Sequence, residues 1–364
     1  MKSILILNWR DTRHVFAGGA EKYLHEMGKR WVLKGYRVTM FCGNDGRCAE
    51  RESIDGIQIF RKGGTYTVYL WAIWYYYKYF RGKYDVILDC ENGIPFFSPV
   101  YARKIKIFCV VFHVHQGVFR KYLWLPMAWL ASFLEKDLMP YVYRKKKFVT
   151  ISESTRMEML AHGFTDKVEI VYPGTETHEI ALYAKSEIPT ILYLGRLKAY
   201  KSVDVLIRAY EKFREKYVSN SRLIIAGSGE EEVFLKELVN NLGLNDSVQF
   251  LGFVDEIHKV KLMSEAWVFV NPSMMEGWGL TVIDANACGT VVVASDVPGL
   301  RESVKHLETG ILFRYGDEKM LSDVMHNLVI SKEGRLQYEI NARSWAEKFN
   351  WNVMADKFLK ILEN

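Results

Sequence analysis

The segment Glu276–Asp284 reads EGWGLTVID and places two carboxylates on either side of a Gly-Trp-Gly turn. We expect a helix to begin near Gly279 or Leu280. Glu276 then precedes the helix, and Asp284 lies in its first or second turn. A carboxylate in a helix among apolar neighbours needs a polar partner, and a sugar hydroxyl would serve. The alternative is that Asp284 is an ordinary exposed helical acid.

Two cations precede a second predicted helix in the segment GRLKAYKS, residues 195–202. Arg196 and Lys201 are five positions apart in this segment, and the helix start lies directly behind them. Two cations backed by a helix N-terminus can hold a diphosphate. The alternative is a pair of solvated surface cations.

A glycine pair opens a third predicted helix in the segment FAGGAEK, residues 16–22. Gly18 and Gly19 allow the backbone to approach a ligand closely, and the N–H groups at the helix start favour an anion. The alternative is a tight turn between strand and helix with no ligand.

The segment VVFHVHQG, residues 110–117, ends a predicted buried strand with His113 and His115. These two histidines share a face because successive strand residues alternate faces. An H-x-H pair can ligate a metal, but no acid cluster is close in sequence and the chain has no D-x-D pair. We therefore expect no metal, and we expect Arg196, Lys201 and helix dipoles to supply the positive charge. The alternative is that the histidines only pack or form hydrogen bonds.

Short apolar runs alternate with helical patterns along the chain, which predicts an α/β fold with parallel sheets. The pattern starts with SILIL (3–7) and starts again with TILYLG (190–195). We predict two Rossmann-like domains that face each other, over residues 1–173 and 189–344, with a linker at 174–188. The final stretch, 345–362, reads as one more amphipathic helix within a last segment of 345–364.

Composition favours a cytoplasmic location. The five cysteines form no C-x-x-C pair, so a disulfide framework or a zinc cluster is not expected. No apolar run reaches the roughly 20 residues that span a bilayer. The net charge is +6, and residues 101–150 contain ten basic residues against two acids. Such a basic and aromatic stretch could meet nucleic acid, an anionic membrane or an anionic substrate.

Two nucleotide-binding classes are disfavoured by their missing motifs. Gly227, Ser228 and Gly229 are followed by three glutamates rather than by the last glycine of G-x-G-x-x-G, and those carboxylates would repel a pyrophosphate. A dinucleotide-dependent oxidoreductase is therefore not expected. The chain has no G-x-x-x-x-G-K-[ST] either, so ATP hydrolysis has little support.

Taken together, the four loops resemble those of the retaining glycosyltransferases of family 4, which have the GT-B fold. The resemblance covers nearly the whole chain and is strongest over residues 190–315. It rests on YLGRLKAYKSVDVLIRAY, LIIAGSGEEE, VQFLGFV, VNPSMMEGWGLTVIDANACGTVVVASDVPGLRESV and TGILF, in that order. In the first half it rests on GGAEKYLHEMGKRWVLKGYRVTMFCG and on His113.

The resemblance implies hexose transfer from a nucleoside diphosphate sugar, linked to UDP or GDP, to a hydroxyl of a glycan or lipid-linked glycan. The expected setting is the synthesis of cell-surface polysaccharide or glycoconjugate. The second domain would bind the donor and the first the acceptor, and the last helix would cross back to the first domain. The anomeric configuration would be retained, the leaving phosphate would help to take the acceptor proton, and no cofactor besides the donor is implied.

The resemblance also carries roles over to individual residues. Arg196 and Lys201 would neutralise the leaving diphosphate, Glu276 would contact the donor sugar, and His113 would lie near that sugar. The backbone N–H groups from Gly277 to Leu280 would hold sugar hydroxyls and phosphate. The remaining expected contacts are Gly18, Gly19, Gly227, Ser228, Phe253, Val254, Trp278 and Gly279.

One position departs from the family pattern. The second acid, which normally holds the ribose hydroxyls, is Asp284 here, where the family usually has glutamate. Aspartate is one methylene shorter, so the ribose must sit closer or a water must bridge.

The acceptor side leaves two interpretations open. Residues 66–80 and 118–147 combine many aromatics with basic residues. They could be core helices of the first domain with solvated basic faces. They could instead dock on an anionic membrane at the inner face of the cell membrane, which would suit a lipid-linked acceptor.

Other functional classes remain as alternatives. A sugar-nucleotide epimerase or an inverting transferase would use the same fold. A non-catalytic subunit that binds sugar nucleotides would fit the change at Asp284. Nucleic-acid binding is not expected, because no recognised motif accompanies the basic stretch.

Overall fold

The computed structural model describes residues 2–114, 124–164, 167–176, 183–217 and 220–364. The chain forms two compact units. The first consists of Met1–Pro173 together with Trp351–Asn364, and the second of Gly174–Asn350. The chain thus passes from the first unit to the second after Pro173 and returns at Trp351.

The first unit is built on an eight-stranded sheet. Its strands are β1 (Ser3–Leu7), β2 (Arg37–Cys42), β3 (Arg51–Ile54), β4 (Ile57–Arg61), β5 (Val86–Glu91), β6 (Lys106–Val111), β7 (Lys147–Thr150) and β8 (Val168–Ile170). Their order is β3-β4-β2-β1-β5-β6-β7-β8, and only the β3–β4 pair is antiparallel. The central strands are buried along their length, which is why they read as unbroken apolar runs.

Helices connect these strands. They are α1 (Gly19–Leu33), α2 (Val68–Tyr75), α3 (Ser98–Tyr101), α4 (Leu125–Phe133), α5 (Met139–Tyr143) and α6 (Glu153–Ala161). A π-helical turn, Tyr76–Phe80, extends α2, and a second one, Leu134–Leu138, joins α4 to α5.

The second unit is built on a six-stranded parallel sheet. Its strands are β9 (Thr190–Leu194), β10 (Arg222–Ala226), β11 (Val248–Gly252), β12 (Val268–Asn271), β13 (Val291–Ser295) and β14 (Gly310–Phe313), in the order β11-β10-β9-β12-β13-β14. Its helices are α7 (Val203–Lys216), α8 (Glu232–Asn241), α9 (Glu256–Glu265), α10 (Leu280–Ala287), α11 (Pro298–Ser303), α12 (Glu318–Ile330) and α13 (Lys332–Ala346). Short 3₁₀ turns lie at Ala199–Lys201 and Glu347–Phe349.

Helix α7 shows how the sequence pattern produces this packing. Its buried apolar residues recur at spacings of three and four and include Val203, Leu206, Tyr210 and Phe213. This spacing places them on one stripe of the helix, which covers the sheet, while charged residues occupy the other face.

The predicted single helix over 345–362 is wrong. Helix α13 ends at Ala346, a 3₁₀ turn follows, and α14 (Trp351–Glu363) starts anew. Asn350 interrupts the helix because its backbone is extended and forms a β-bridge with Thr175. Helix α14 then packs on α1 in the first unit, where the Trp31 indole donates to the Ala355 carbonyl at 3.1 Å.

The carboxyl ends of the strands position the candidate site residues. In the first unit, the loops after β1 and β6 carry Gly18 and His113. In the second unit, the loops after β9, β10 and β12 carry Arg196, Gly227 and Glu276. Parallel strands end at one edge of a sheet, so each unit gathers its loops on one side, where open α/β sheets bind ligands.

Candidate active site

The loops at the carboxyl edge of the second sheet are hydrogen-bonded to one another. The N–H of Leu197 donates to the Ser228 carbonyl at 2.9 Å, and that of Gly227 donates to the Gly252 carbonyl at 2.7 Å. Gly227 has a φ of +131°, and a Cβ there would lie 1.9 Å from the Gly195 carbonyl oxygen. Only glycine allows this approach, so the loop is a fixed platform for Arg196 and Ser228.

Lys201 and Glu276 are brought together at this edge. Lys201 Nζ lies 2.5 Å from Glu276 Oε1, and both side chains are 15% exposed. The N–H of Met274 donates to the Tyr200 carbonyl at 2.8 Å and ties the two loops together. Ser202 has a φ of +50°, a left-handed conformation that is uncommon for serine and ends the 3₁₀ turn carrying Lys201.

The Glu276 carboxylate is supported on one oxygen. Ser273 Oγ donates to Oε1 at 3.0 Å and Asn271 Nδ2 at 3.4 Å, in addition to Lys201. Burial by itself raises the pKa of Glu276, but the charge of Lys201 and these hydrogen bonds outweigh it and lower the pKa below its ordinary value. Among the described residues, no side chain donates to Oε2, which can therefore accept from a ligand.

Arg196 is held by two neighbouring tyrosines. Its guanidinium Nη2 donates to the hydroxyl of Tyr200 at 3.0 Å, and its backbone carbonyl accepts from the hydroxyl of Tyr193 at 2.9 Å. The tyrosines thus orient Arg196 on the same loop as Lys201.

Helix α10 begins where the sequence predicts, at Leu280, with Gly279 in the left-handed region at φ +89°. A Cβ at Gly279 would lie 2.8 Å from Leu300 Cδ2, and one at Gly299 would lie 2.1 Å from the Glu276 carbonyl oxygen. Within the described residues, the N–H groups of Gly277, Gly279 and Leu280 reach no acceptor. The first turn of α10 contains no acid. Its positive end is therefore open to an anion.

The side chain of Trp278 belongs to the core. It is 3% exposed, and its ring packs against Phe349 with centroids 5.1 Å apart. A donor can therefore meet Trp278 only through its backbone. Phe253, by contrast, is 84% exposed, and the neighbouring Val254 is half-buried.

Asp284 is buried, so the alternative of an exposed helical acid is wrong. Its Oδ1 accepts from Thr175 Oγ1 at 2.7 Å, and its Oδ2 accepts from Lys259 Nζ at 2.9 Å. Burial opposes the charge of Lys259, but Asp284 and Glu256 outweigh that effect and raise its pKa. Sequence reasoning missed Lys259 and Thr175, because neither lies close to Asp284 along the chain.

In the glycine loop of the first unit, one backbone N–H group is already bound by a side chain of the helix that follows the loop. The N–H of Gly18 donates to Glu21 Oε2 at 2.7 Å, and Glu21 is 1% exposed. Arg10 Nε and Asn92 Nδ2 lie 3.2 and 2.9 Å from Glu21 Oε1. Sequence reasoning missed this network, although a glutamate three residues after a helix cap is a signal for it. Gly19 remains exposed as the first residue of α1.

His113 lies two residues beyond the end of β6 and is half-buried. His115, its predicted neighbour, lies outside the described residues. No group of three or more histidines, cysteines, aspartates or glutamates placed to hold a metal ion occurs in the part of the chain that the structure describes.

The aromatic and basic segment after His113, described over residues 124–147, has an exposed first helix and a buried second one. Helix α4 buries only Ala128 and Ala131, while Trp129 is 70% exposed and Leu130 and Phe133 are also exposed. The core interpretation therefore fails for α4, whereas Met139 and Tyr143 of α5 are fully buried in the core of the first unit. No helix over the described ranges is long and apolar enough to cross a bilayer.

Two family models match the chain. "Glycosyl transferases group 1" matches residues 175–345, and "Glycosyltransferase Family 4" matches residues 17–179. An uncharacterised glycosyltransferase of Methanocaldococcus jannaschii is 32% identical over 391 residues, which cover 98% of this chain and 97% of the relative. The chain belongs to glycosyltransferase family 4. A phosphatidyl-myo-inositol mannosyltransferase of Mycobacterium leprae is 31% identical to this glycosyltransferase. The match covers 78% of this chain and 74% of the relative.

Solved structures show the fold of the glycosyltransferase. A sucrose-phosphate synthase from Thermosynechococcus elongatus matches with a TM-score of 0.83 and 21% identity, over 100% of this chain and 98% of the other. The Anabaena protein HepE, solved with UDP and glucose, matches over the full length of both chains with a TM-score of 0.78 and 17% identity. The predicted GT-B fold with two Rossmann-like domains is thereby confirmed.

Proposed function

We propose that the enzyme transfers a hexose from a nucleoside diphosphate sugar to a hydroxyl of a glycan or lipid-linked glycan, with retention of the anomeric configuration. The observation that carries the proposal is the contact between Lys201 and Glu276 beside the open N-terminus of α10. Two similar proteins support the donor class, since one is solved with UDP and glucose and another is named a mannosyltransferase.

The diphosphate would be held by charge and by backbone donors. Arg196 and Lys201 would face its oxygens, and the N–H groups of Gly277, Gly279 and Leu280 would donate to phosphate and sugar hydroxyls. These donors are fixed before the substrate arrives, so they stabilise the charge that develops on the leaving phosphate. We propose that no metal ion is needed, because the two cations supply the neutralising charge.

Glu276 would orient the transferred sugar. Its Oε1 is engaged by Lys201, Ser273 and Asn271, and its Oε2 would accept from a sugar hydroxyl. The lowered pKa keeps the carboxylate charged at neutral pH, so it acts as an acceptor and not as an acid. In the proposed retaining step the leaving phosphate takes the acceptor proton.

The ribose contact proposed for Asp284 requires that one of its carboxylate oxygens accept two hydrogen bonds. Both carboxylate oxygens already accept, from Thr175 and from Lys259. A carboxylate oxygen has two lone pairs, so a ribose hydroxyl can bind Asp284 while Lys259 stays in place. Gly227, Ser228, Phe253 and Val254 remain the proposed neighbours of the base.

We further propose that α4 rests on an anionic membrane, where a lipid-linked acceptor would be found. The exposed Trp129, Leu130 and Phe133 form an apolar face, and Lys136, Arg144, Lys145 and Lys146 follow it in sequence. Aromatic residues favour the membrane interface, and basic residues favour anionic headgroups.

A thermal-shift panel of UDP, GDP and ADP, followed by transfer from the matching sugars, tests the donor proposal. At about 100 times its Kd a nucleotide stabilises the folded protein by about 2.7 kcal/mol. We expect stabilisation by UDP or GDP, transfer that persists in EDTA, and NMR of the product that shows the anomer of the donor. Nucleotide binding without transfer to any glycan would instead favour a non-catalytic subunit.

Sedimentation with vesicles tests the membrane proposal. We expect the enzyme to bind vesicles of anionic phospholipid at low salt, and the double variant Trp129→Ala, Leu130→Ser to bind them less. The matched control is Phe234→Ala, an exposed aromatic residue of the second unit. Equal binding of neutral and anionic vesicles, or no effect of the double variant, would contradict the proposal.

A further inference from the structure

An open cavity of about 700 Å³ lies in the first unit, between α2 with its π-helical extension and the strands β3 and β4. Its volume is within the roughly 300–1,000 Å³ of small-molecule sites. The lining consists of Glu50, Arg51, Lys62, Thr67, Leu70, Trp71, Trp74, Tyr75 and Tyr79. Neither the family resemblance nor the proposed donor site makes use of it.

The walls of the cavity are aromatic. The rings of Trp71 and Trp74 meet nearly at right angles, with centroids 5.5 Å apart, and form a corner. Trp74 is 43% exposed, so one ring is open to a ligand. Aromatic faces of this kind pair with ligands that have an apolar face and polar edges, and a sugar ring is one such ligand.

Cations surround the aromatic corner. The Arg51 guanidinium lies 5.1 Å from the ring centroids of both Phe60 and Tyr79, and Lys78 Nζ lies 4.3 Å from the Trp74 ring. In the described parts of the chain, no carboxylate lies within 4.0 Å of Arg51 or Lys78, whereas Lys62 is paired with Glu50 at 2.5 Å. The cavity therefore has an excess of positive charge, and Arg51 has the planar donor geometry that suits a carboxylate or phosphate.

The cavity belongs to the same edge of the sheet as the glycine loop. The N–H of Gly43 donates to the Trp9 carbonyl at 3.0 Å, which joins the loops after β1 and β2. The N–H of Asn44 donates to the Gly63 carbonyl at 2.7 Å, which joins the loops after β2 and β4. A Cβ at Gly63 would lie 2.7 Å from Trp71 Cδ1, so the wall of the cavity directly adjoins these loops.

We infer that this cavity binds an acidic sugar unit of the acceptor, one that carries a carboxylate or a phosphate, at a distance from the hydroxyl that reacts. The sugar ring lies on Trp74, and its anionic group pairs with Arg51. This inference rests on the proposed function only in calling the ligand an acceptor. The binding of the acidic saccharide by itself does not require a donor.

Calorimetric titration of the full-length enzyme without donor tests the inference. The acidic probes are tri-galacturonate and mannose 6-phosphate, and mannotriose is the neutral match. We expect saturable binding of at least one acidic probe, tighter than that of mannotriose. Arg51→Met and Trp74→Ala should each weaken it by roughly tenfold, as expected for the loss of one charge-assisted or aromatic contact. Arg81→Met removes a cation–π pair with Tyr77 outside the cavity and should leave the affinity unchanged.

Three results would overturn the inference. They are no saturable binding of either acidic probe, equal affinity in Arg51→Met and the unmodified enzyme, and displacement of the saccharide by glycerol 3-phosphate at equal affinity. The last result would assign the cavity to a phospholipid headgroup. Trp74→Phe keeps an aromatic ring and should restore most of the affinity. Weak binding in Trp74→Ala but not in Trp74→Phe is then due to the lost ring contact and not to a loss of folding. Binding of UDP, measured in the same samples, separates failure of the donor proposal from failure of this one.

Discussion

The two units each place a glycine at the start of a helix at a carboxyl edge, yet the two helix ends differ in what occupies them. At α1 the N–H of Gly18 is bound by Glu21, a carboxylate of the same helix, which is itself paired with Arg10. At α10 the first turn has no acid, and Lys201 lies beside the helix start. The first end carries its own anion, and the second is open for one from a substrate.

This difference teaches that a glycine pair before a helix does not by itself mark a phosphate site. The N–H groups at a helix start need an anion, and the chain can supply it from the third residue of the helix. The family role of Gly19 therefore rests on its exposed backbone, whereas Gly277, Gly279 and Leu280 offer N–H groups that reach no acceptor among the described residues.

The largest expected effect comes from variants beside the open N-terminus of α10. Arg196→Ala, Lys201→Ala and Glu276→Ala should each lower kcat by about 10²–10³ or more, because each removes a preorganised contact to the donor. The protein should stay folded, as judged by its thermal midpoint. Lys198→Ala is the matched control, since Lys198 lies on the same loop but pairs with Glu230 at 3.4 Å. Near-normal turnover in all three variants would refute the assignment.

The next largest effect comes from a variant at the N-terminus of α1, where Glu21 binds the N–H of Gly18. Glu21→Ala leaves Arg10 buried without its carboxylate, so we expect a loss of about 3 kcal/mol in the free energy of unfolding, measured with urea. Affinity for UDP should not change, because Glu21 lies outside the second unit. Lys34→Ala, which removes an exposed pair with Asp356, should cost less than about 1 kcal/mol. A large loss of nucleotide affinity in Glu21→Ala would contradict the proposal that the nucleotide binds at α10 and not at α1.

A third variant sharpens the role of Asp284. Asp284→Asn keeps the size of the side chain but leaves the buried ammonium of Lys259 paired only with Glu256, whose own side chain is exposed. We expect about 2 kcal/mol of lost stability and a thermal midpoint lower by roughly 4–8 °C. If Asp284 also binds ribose, uridine and UDP should weaken by the same factor. A change for UDP alone would point away from ribose.

The smallest effect concerns pH. The carboxylate of Glu276 stabilises the folded state above the ordinary glutamate pKa, and this contribution is lost as the pH falls through the lowered pKa of the folded state. Ser273→Ala removes one hydrogen bond to the charged form. The acid limb of kcat/KM should therefore move to higher pH, by less than about one unit. Ser186→Ala, remote from this carboxylate, should leave the limb in place, and a shift to lower pH in Ser273→Ala would be inconsistent with the proposed contact.

Much of the fold could be predicted from local patterns. Buried strands such as Ser3–Leu7 and Val291–Ser295 read as apolar runs, and α7 reads as an amphipathic stripe. The break at Asn350 could not be predicted, because the flanking residues continue a helical pattern. What ends the helix there is the bridge to Thr175, a residue that is distant in sequence.

The sequence by itself determined the residue types and the order of the loops. Arg196, Lys201 and Glu276 were predicted to act together because parallel strands must bring their carboxyl ends to one edge. The tertiary structure alone decided which charges are paired. In it, Asp284 pairs with Lys259 and Thr175, the N–H of Gly18 pairs with Glu21, and the N-terminus of α10 stays open. The physical reason is that pairing depends on separations of about 3 Å between residues far apart in sequence, which only packing can set.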